Sequence, residues 1–309
     1  MAFPTVLSAV LNSKAMGARA NLATTGLWSF TERMSAGEAA EAAARVESLG
    51  YSTLWLPETT GRDPFAHIAH LMDNTSTMMF ATGIANIFHR HPGVMKQAAH
   101  TLAEQSGGRF VLGIGVSHAP LVAGLRQLDY SKPLTQMRHY LEAMRQSPIT
   151  VPEPPEEPLV LLAALGPKML QLAAEEADGA HPYWTTPEHT AEARALMGPD
   201  ALLCVEQKVV LTTDAEAARS AGATQVERYA ALPNYRNNWL RLGFTDRQID
   251  DRDPAFIDAV VAWGDEDRIR HRVDAHYRAG ADHVCIQPVS PRGPQHFDWD
   301  AVERLAPNG

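Results

Sequence analysis

The chain has 309 residues, a net charge of −9, 45% hydrophobic and 20% charged residues. That length supports a large core, built as one barrel or two smaller domains. The acidic balance argues against nucleic acid or an anionic membrane surface as the main partner, and no run is long enough to span a bilayer.

Residues 1–23 read as a short amino-terminal arm ahead of a cytoplasmic protein. They lack a basic start, and Asn12-Ser13-Lys14 interrupts the apolar part early. Thr24–Ser29 is the first predicted strand. Ser35 and Glu38 have capping-box spacing, opening a helix that Gly50 stops. Tyr51–Leu56 is the second strand and Pro64–Met72 a short helix. Met78–Ala85 is a continuous apolar run of strand length, followed at once by Asn86, His89, Arg90 and His91 and by a helix from Pro92 to Ser106. Phe110–Gly115 is the fourth strand, running into Val116-Ser117-His118. A long connection and a helix to Arg145 precede the proline-rich linker 148–158.

The rhythm then resumes unchanged. Leu159–Ala164 is the fifth strand, and Leu165-Gly166-Pro167 opens a helix to Glu176. Gly179–His181 is a short sixth strand, Pro187–Met197 a helix, and Ala201–Leu211 the seventh strand. Residues 213–278 are too long for one crossover and read as several helices, with Tyr235, Arg236 and Asn237 in a polar stretch suited to a lid. His283–Gln287 is the eighth strand, and Trp299–Leu305 a closing helix. Eight strands alternating with helices predict a (β/α)₈ TIM barrel, with residues 24–309 as one domain and an insertion near 213–264. A doubly wound sheet is the rival, but the first strand-helix turn lacks GxGxxG.

In a barrel the site lies at the carboxyl ends of the strands. Those ends collect Trp28, Ser29, Glu58, Ala85, Asn86, Gly115 to His118, Ala164 to Pro167, Pro182 to Trp184 including Tyr183, and Gln287. They contain no HxH, HExxH or GxSxG. Cys204 and Cys285 sit inside apolar runs and read as reduced core residues, so neither a metal site nor covalent catalysis is expected. Small groups, amides and hydroxyls suit a large planar cofactor. Gly166-Pro167-Lys168 reads either as a phosphate-binding helix start or as a plain one. Gly113 and Gly115 either clear room for a ring or permit tight packing. Glu58 is either an acid–base group or a holder of a substrate or ring edge. Arg90 is the candidate anion partner and His89 a pocket residue.

The stretches TTGLW (24–28), YSTLWLPE (51–58), TGIANIFHRHP (82–92), SGGRFVLGIGVSHAP (106–120), AALGPKMLQLAAEEADG (163–179), LPNYRNNWLRLGF (232–244) and VAWGDEDRIRHRVDAHYRAGADHVCIQP (261–288) together resemble the bacterial-luciferase-like flavin and deazaflavin enzymes, in particular the branch that uses coenzyme F420. The resemblance implies a barrel with a helical insertion after the seventh strand. It also implies a ring at the strand ends over a non-prolyl cis peptide, which would fall at Gly83-Ile84. Ala85 and Asn86 would then adjoin the ring, and Gly115, Val116 and Ser117 would flank it. The phosphate would meet Leu165, Gly166, Pro167 and the amides of Lys168 and Met169, with Ala164 also in the cofactor site.

The deazaflavin sugar-phosphate dehydrogenases carry a histidine in strand two and an acid after strand four. Here Pro57-Glu58 and Ser117-His118 replace them, which speaks against a glucose-6-phosphate substrate and leaves Glu58, His89 and His118 as proton-transfer candidates. Trp28, Arg90, Tyr183, Tyr235, Arg236 and Gln287 are expected toward the substrate or lid. The activity implied is hydride transfer with F420. The alternatives are an FMN-dependent two-component monooxygenase and a non-catalytic flavin-binding barrel, and the family also implies a homodimer.

Overall fold

A parallel sheet closed on itself organises the chain. A computed structural model describes Leu22, residues 25–293 and residues 296–307; apart from Leu22, the expected amino-terminal arm lies outside the described residues. In chain order the strands are β1 (Gly26–Trp28), β2 (Thr53–Leu56), β3 (Met79–Thr82), β4 (Ala85–Asn86), β5 (Phe110–Gly115), β6 (Leu159–Leu162), β7 (Gly179–Ala180), β8 (Leu202–Leu211), β9 (Val261–Gly264) and β10 (His283–Pro288). The helices are α1 (Ala36–Ser48), α2 (Pro64–Met72), α3 (Pro92–Gln105), α4 (Pro133–Gln146), α5 (Pro167–Glu176), α6 (Pro187–Met197), α7 (Ala215–Ala230), α8 (Pro233–Arg241), α9 (Asp246–Asp250), α10 (Pro254–Val260), α11 (Glu266–Arg278) and α12 (Trp299–Arg304).

All strands except β4 and β9 form the ring, in the order β10-β1-β2-β3-β5-β6-β7-β8, and β8 pairs with β10 to close it. This is the (β/α)₈ barrel that the alternation predicts. Period-2 patterning separates its two faces. Trp28, Trp55, Met79, Ala81, Val111, Leu159, Leu161, Cys204 and Cys285 fill the interior together with Leu22. Their neighbours along the strands, such as Leu27, Leu54, Phe80, Leu112 and Leu203, pack outward on the helices. Both cysteines are buried and outside any disulfide, as expected of core thiols.

Helix starts follow their caps. Ser35 and Glu38 make the predicted capping box, and α2, α3, α4, α5, α6, α8 and α10 each begin on a proline in the first turn, where its missing N–H costs nothing.

The structure departs from the predicted elements in three places. Pro120–Leu125 forms a π-helical turn within the expected long connection. The apolar run 78–85 is not one strand: it breaks after Thr82 at a cis Gly83–Ile84 bond, and Ala85–Asn86 re-pairs with Ile114–Gly115. Segment 213–278 is not all helical, because Val261–Gly264 adds a parallel strand along Lys208–Leu211 of β8. Four apolar residues beginning at the end of a helix carry too little periodicity to be separated from that helix by pattern. The helices of this segment enclose their own apolar cluster around Trp184, Trp239, Phe256 and Tyr235.

Two histidines are held neutral inside the fold. His276 pairs with Thr190 Oγ1 at 2.8 Å and Gln207 Oε1 at 2.9 Å, and burial pushes its pKa down to about 3. His181 is pushed down to about 4 for the same reason. Both folded values lie below the ordinary histidine value near 6.5, so the unfolded chain takes up protons first. The stability held by these neutral rings is complete above about pH 6.5 and drains away toward pH 4, at roughly 1.4 kcal/mol per pH unit for each ring. Urea unfolding at pH 7, 6, 5 and 4 should therefore show a steep acid decline, made shallower by about one proton in His276→Gln. An unchanged slope in that variant would remove His276 from the account.

Candidate active site

A cavity of about 750 Å³ opens where the ring strands finish. Trp28 at the end of β1, Gly83 and Ile84 after β3, and His181 after β7 line it from the barrel side. Val116, Ser117 and His118 after β5, and Ala164 and Leu165 after β6, contribute the walls. Tyr229 of α7 and Asn234 and Tyr235 of α8 contribute from the long segment after β8.

Local backbone explains how some of these groups reach the cavity. A Cβ on Gly83 would lie 2.5 Å from Trp28 Nε1, so no larger residue fits without moving the indole. A Cβ on Gly115 would lie 2.7 Å from Ile84 Cδ1, and one on Gly113 would lie 2.0 Å from the Thr82 carbonyl oxygen. These two glycines serve packing, and Gly115 does not itself line the cavity. Ser117 holds φ 53°, a left-handed conformation that is uncommon outside glycine and concentrates at functional turns. Tyr130 donates to its carbonyl at 2.9 Å.

His118 Nδ1 meets Asn234 Oδ1 at 3.1 Å and its ring lies 5.3 Å from that of Tyr235, tying the β5 turn to α8. Burial holds its pKa below the ordinary value.

Glu58 lines the cavity, but its carboxylate is heavily engaged. It accepts from Arg90 Nη1 at 2.7 and 2.8 Å and from the Asn86 N–H at 2.7 Å, and its Oε1 lies 3.1 Å from His89 Nδ1. Arg90 also pairs with Asp63, the N-cap of α2, while His89 Nε2 lies 3.1 Å from Asn86 Nδ2. This set fastens the β2 end to the re-paired β4 segment. Ala85, Asn86, His89 and Arg90 thus stand behind the cavity wall rather than in it. Arg90 is not a free anion partner, because two carboxylates already occupy its guanidinium.

Two further expected residues sit elsewhere. Arg236 points away from the cavity to Asp246 at 2.8 Å and Asp250 at 2.7 Å, so of the three expected lid residues Tyr235 and Asn237 line the cavity and Arg236 does not. Gln287 accepts from Tyr183 Oη at 2.8 Å and Lys208 Nζ at 3.0 Å, one layer below. That layer holds features the sequence reading missed. Lys208 and Glu206 form a fully buried pair at 3.1 Å, with Lys208 Nζ 3.7 Å from the Tyr183 ring centre and 4.0 Å from that of Trp184. Burial pushes Lys208 down to about 8. Two charges flanking Gln207 in the otherwise apolar LLCVEQKVVL were the available signal. His181, Tyr229, Asn234 and Arg241 were also missed as site residues, and nothing in single-sequence patterning singles them out.

The rim beside α5 has a different character. Gly166 is its N-cap and offers no side chain, so the first-turn N–H groups lack a side-chain partner and the positive end of the helix dipole faces outward. Leu165, Gly166, Pro167, Lys168 and Met169 all line the cavity here, and Arg241 reaches over, its Nη2 3.6 Å from where a Gly166 Cβ would be.

Replacing Arg90 with Met should cost about 2–3 kcal/mol in denaturant unfolding, because the buried Glu58 charge loses its main partner. A variant as stable as the parent would show that this cluster does not fasten the wall.

The family model described as luciferase-like monooxygenase matches residues 17–283. The chain is 31% identical over 315 aligned residues to a putative coenzyme F420-dependent oxidoreductase of Mycobacterium tuberculosis, covering 80% of this chain and 89% of that protein. Its fold matches an F420-dependent secondary alcohol dehydrogenase in complex with an F420–acetone adduct, with a TM-score of 0.74, 16% identity and coverage of 92% and 97% of the two chains. It also matches the oxygenating constituent of 3,6-diketocamphane monooxygenase of Pseudomonas putida in complex with FMN, with a TM-score of 0.65, 16% identity and coverage of 93% and 97%.

Proposed function

Since the chain belongs to the luciferase-like monooxygenase family, we propose that it is a coenzyme F420-dependent oxidoreductase moving a hydride between ring carbon C5 of the deazaflavin and a small organic substrate. The observation carrying this reading is the division of the cavity into two chemically different regions. Its barrel side is lined by Trp28, Gly83, Ile84 and Val116, and its α5 rim by an uncapped helix start with Lys168 and Arg241. A flat ring with an anionic tail matches that division, and 750 Å³ falls within the range of cofactor-sized pockets.

The fit rests on features of the chain itself. The Gly166 cradle has no Cβ, and the backbone N–H of Lys168 stands at the positive end of α5, where a phosphate gains a hydrogen bond and dipole attraction; the N–H of Met169, which donates to the Gly166 carbonyl at 3.0 Å, lies beside it. Lys168 and Arg241 add charge. When bound, the deazaflavin supplies a two-electron hydride donor or acceptor. The protein's part is to hold ring and substrate together, keep water out, and handle one proton.

FMN would use the same phosphate cradle, so the fold alone does not choose between the cofactors. The relative at 31% identity, itself a putative F420 enzyme, favours F420.

Titration of the purified protein with F420 should change the coenzyme fluorescence saturably, with tighter binding than FMN. Lys168→Ala and Arg241→Ala should each weaken binding roughly five- to tenfold, as expected for loss of one exposed charged contact. Tighter FMN binding would overturn the F420 assignment, and affinity unaffected by either variant would move the phosphate elsewhere.

A further inference from the structure

Two buried polar atoms meet on the barrel side of the cavity with nothing to bond. Trp28 is 3% exposed and His181 1% exposed, both line the cavity, and neither Trp28 Nε1 nor His181 Nε2 has a hydrogen-bond partner among the described residues. They converge: the point a Cβ on Gly83 would occupy lies 2.5 Å from Trp28 Nε1 and 3.5 Å from His181 Nε2. The two nitrogens are therefore no more than about 6 Å apart, a span that one hydroxyl oxygen at hydrogen-bond distance from each can bridge.

Their hydrogen-bonding senses are opposite and fixed. An indole Nε1–H only donates. His181 Nδ1 lies 2.8 Å from the Cys204 carbonyl, which only accepts, so that nitrogen carries the ring proton and Nε2 presents a lone pair. The His181 ring cannot turn away, because it stacks on Trp55 at 4.1 Å with 13° between the planes. Leaving both atoms unpaired would cost roughly 1–3 kcal/mol each, so a bound group satisfying both gains strongly. A carbonyl or ether oxygen can satisfy only Trp28. A hydroxyl satisfies both.

We propose that Trp28 and His181 form the recognition site for a substrate hydroxyl, so that the small organic substrate is an alcohol in its reduced form. The inference rests on the F420 reading for its redox partner. In the oxidative direction the carbinol C–H bond breaks, its electron pair leaves as hydride to the oxidised deazaflavin, and the C–O bond becomes a carbonyl. The hydroxyl proton passes to His181 Nε2, while Trp28 Nε1–H continues to donate to the oxygen.

The test uses cyclohexanol, cyclohexanone and methoxycyclohexane as probes, each titrated into the coenzyme-free and the F420-loaded protein. The indole N–H resonance of Trp28 and the histidine ring nitrogens report binding. Cyclohexanol should bind at least fivefold tighter than the ether in both forms and shift both reporters, while cyclohexanone shifts the indole alone. Trp28→Phe keeps an aromatic ring beside Phe30 and Tyr183, and His181→Asn keeps a donor for the Cys204 carbonyl. Each should erase the preference for the alcohol over the ether in the coenzyme-free protein.

Equal binding of alcohol and ether, or no saturable binding of any probe, overturns the proposal. So does disappearance of the alcohol preference once F420 is bound, which would assign the two atoms to the coenzyme instead. Failure of F420 to bind the parent protein sinks the functional reading alone, because the hydroxyl preference is measured without it. If His181→Asn does not fold, Trp28→Phe decides.

Discussion

The pairing of β8 with β10, six residues in parallel register from His283–Cys204 to Pro288–Val209, is what turns an open sheet into a ring. Without it the β8 and β10 edges would expose unpaired backbone groups, and the interior side chains of opposite strands would have no shared core. With it, Trp28, Trp55 and His181 come together from β1, β2 and the end of β7, although they are far apart in sequence. The cavity is the space above that aromatic layer. Its position is set by how far the interior is filled, and its outline by the turns leaving each strand.

Charge beneath and behind the cavity is handled in two different ways. Glu58 is surrounded by Arg90, His89 and the Asn86 N–H, so its charge is neutralised where it stands and its oxygens are committed to holding the wall. An acid–base group needs an oxygen free to reach the substrate, and this carboxylate has none left uncommitted. Glu206 and Lys208 are buried completely, a placement that is rarely favourable for stability in itself. Their surroundings compensate: aromatic faces of Tyr183 and Trp184 lie against the ammonium, and Gln287 adds an acceptor. Because Gln287 also accepts from Tyr183, a cavity residue, the pair orients the tyrosine without entering the cavity.

The barrel was legible in the sequence because its strands are short apolar runs separated by helices with clear starts, such as Ser35 with Glu38 and the prolines at 64, 92, 167 and 187. The turn at Leu165-Gly166-Pro167 was legible as a helix start for the same reason. What lay beyond reach depends on contacts between distant segments. The run 78–85 reads as continuous because every residue in it is apolar or small; only Gly83, together with the family resemblance that puts a cis bond at Gly83-Ile84, marks the break after Thr82. Arg90 reads as a free cation until Glu58, 32 positions earlier, is placed beside it. His181 is the sharpest case: an isolated histidine at the end of a two-residue strand becomes notable only when Trp55, Cys204 and Gly83 are seen around it.

Neutrality on the barrel side and charge at the rim have a joint consequence for chemistry. Lys168 and Arg241 stand where solvent reaches, so they can attract an anionic tail without lowering the stability of the fold. Deeper in, burial pushes His181 down to about 4; it also lowers His118 in the β5 turn, and neither ring has a carboxylate bonded to it among the described residues. A group transferring a hydride needs such surroundings: apolar, short of water, with polar atoms placed only where the substrate oxygen lies. A neutral imidazole held by a backbone carbonyl accepts a proton only as charge leaves the substrate oxygen. Under the proposed hydride transfer, proton and hydride movement would therefore be coupled by the site's low polarity rather than by a strong base standing ready beforehand.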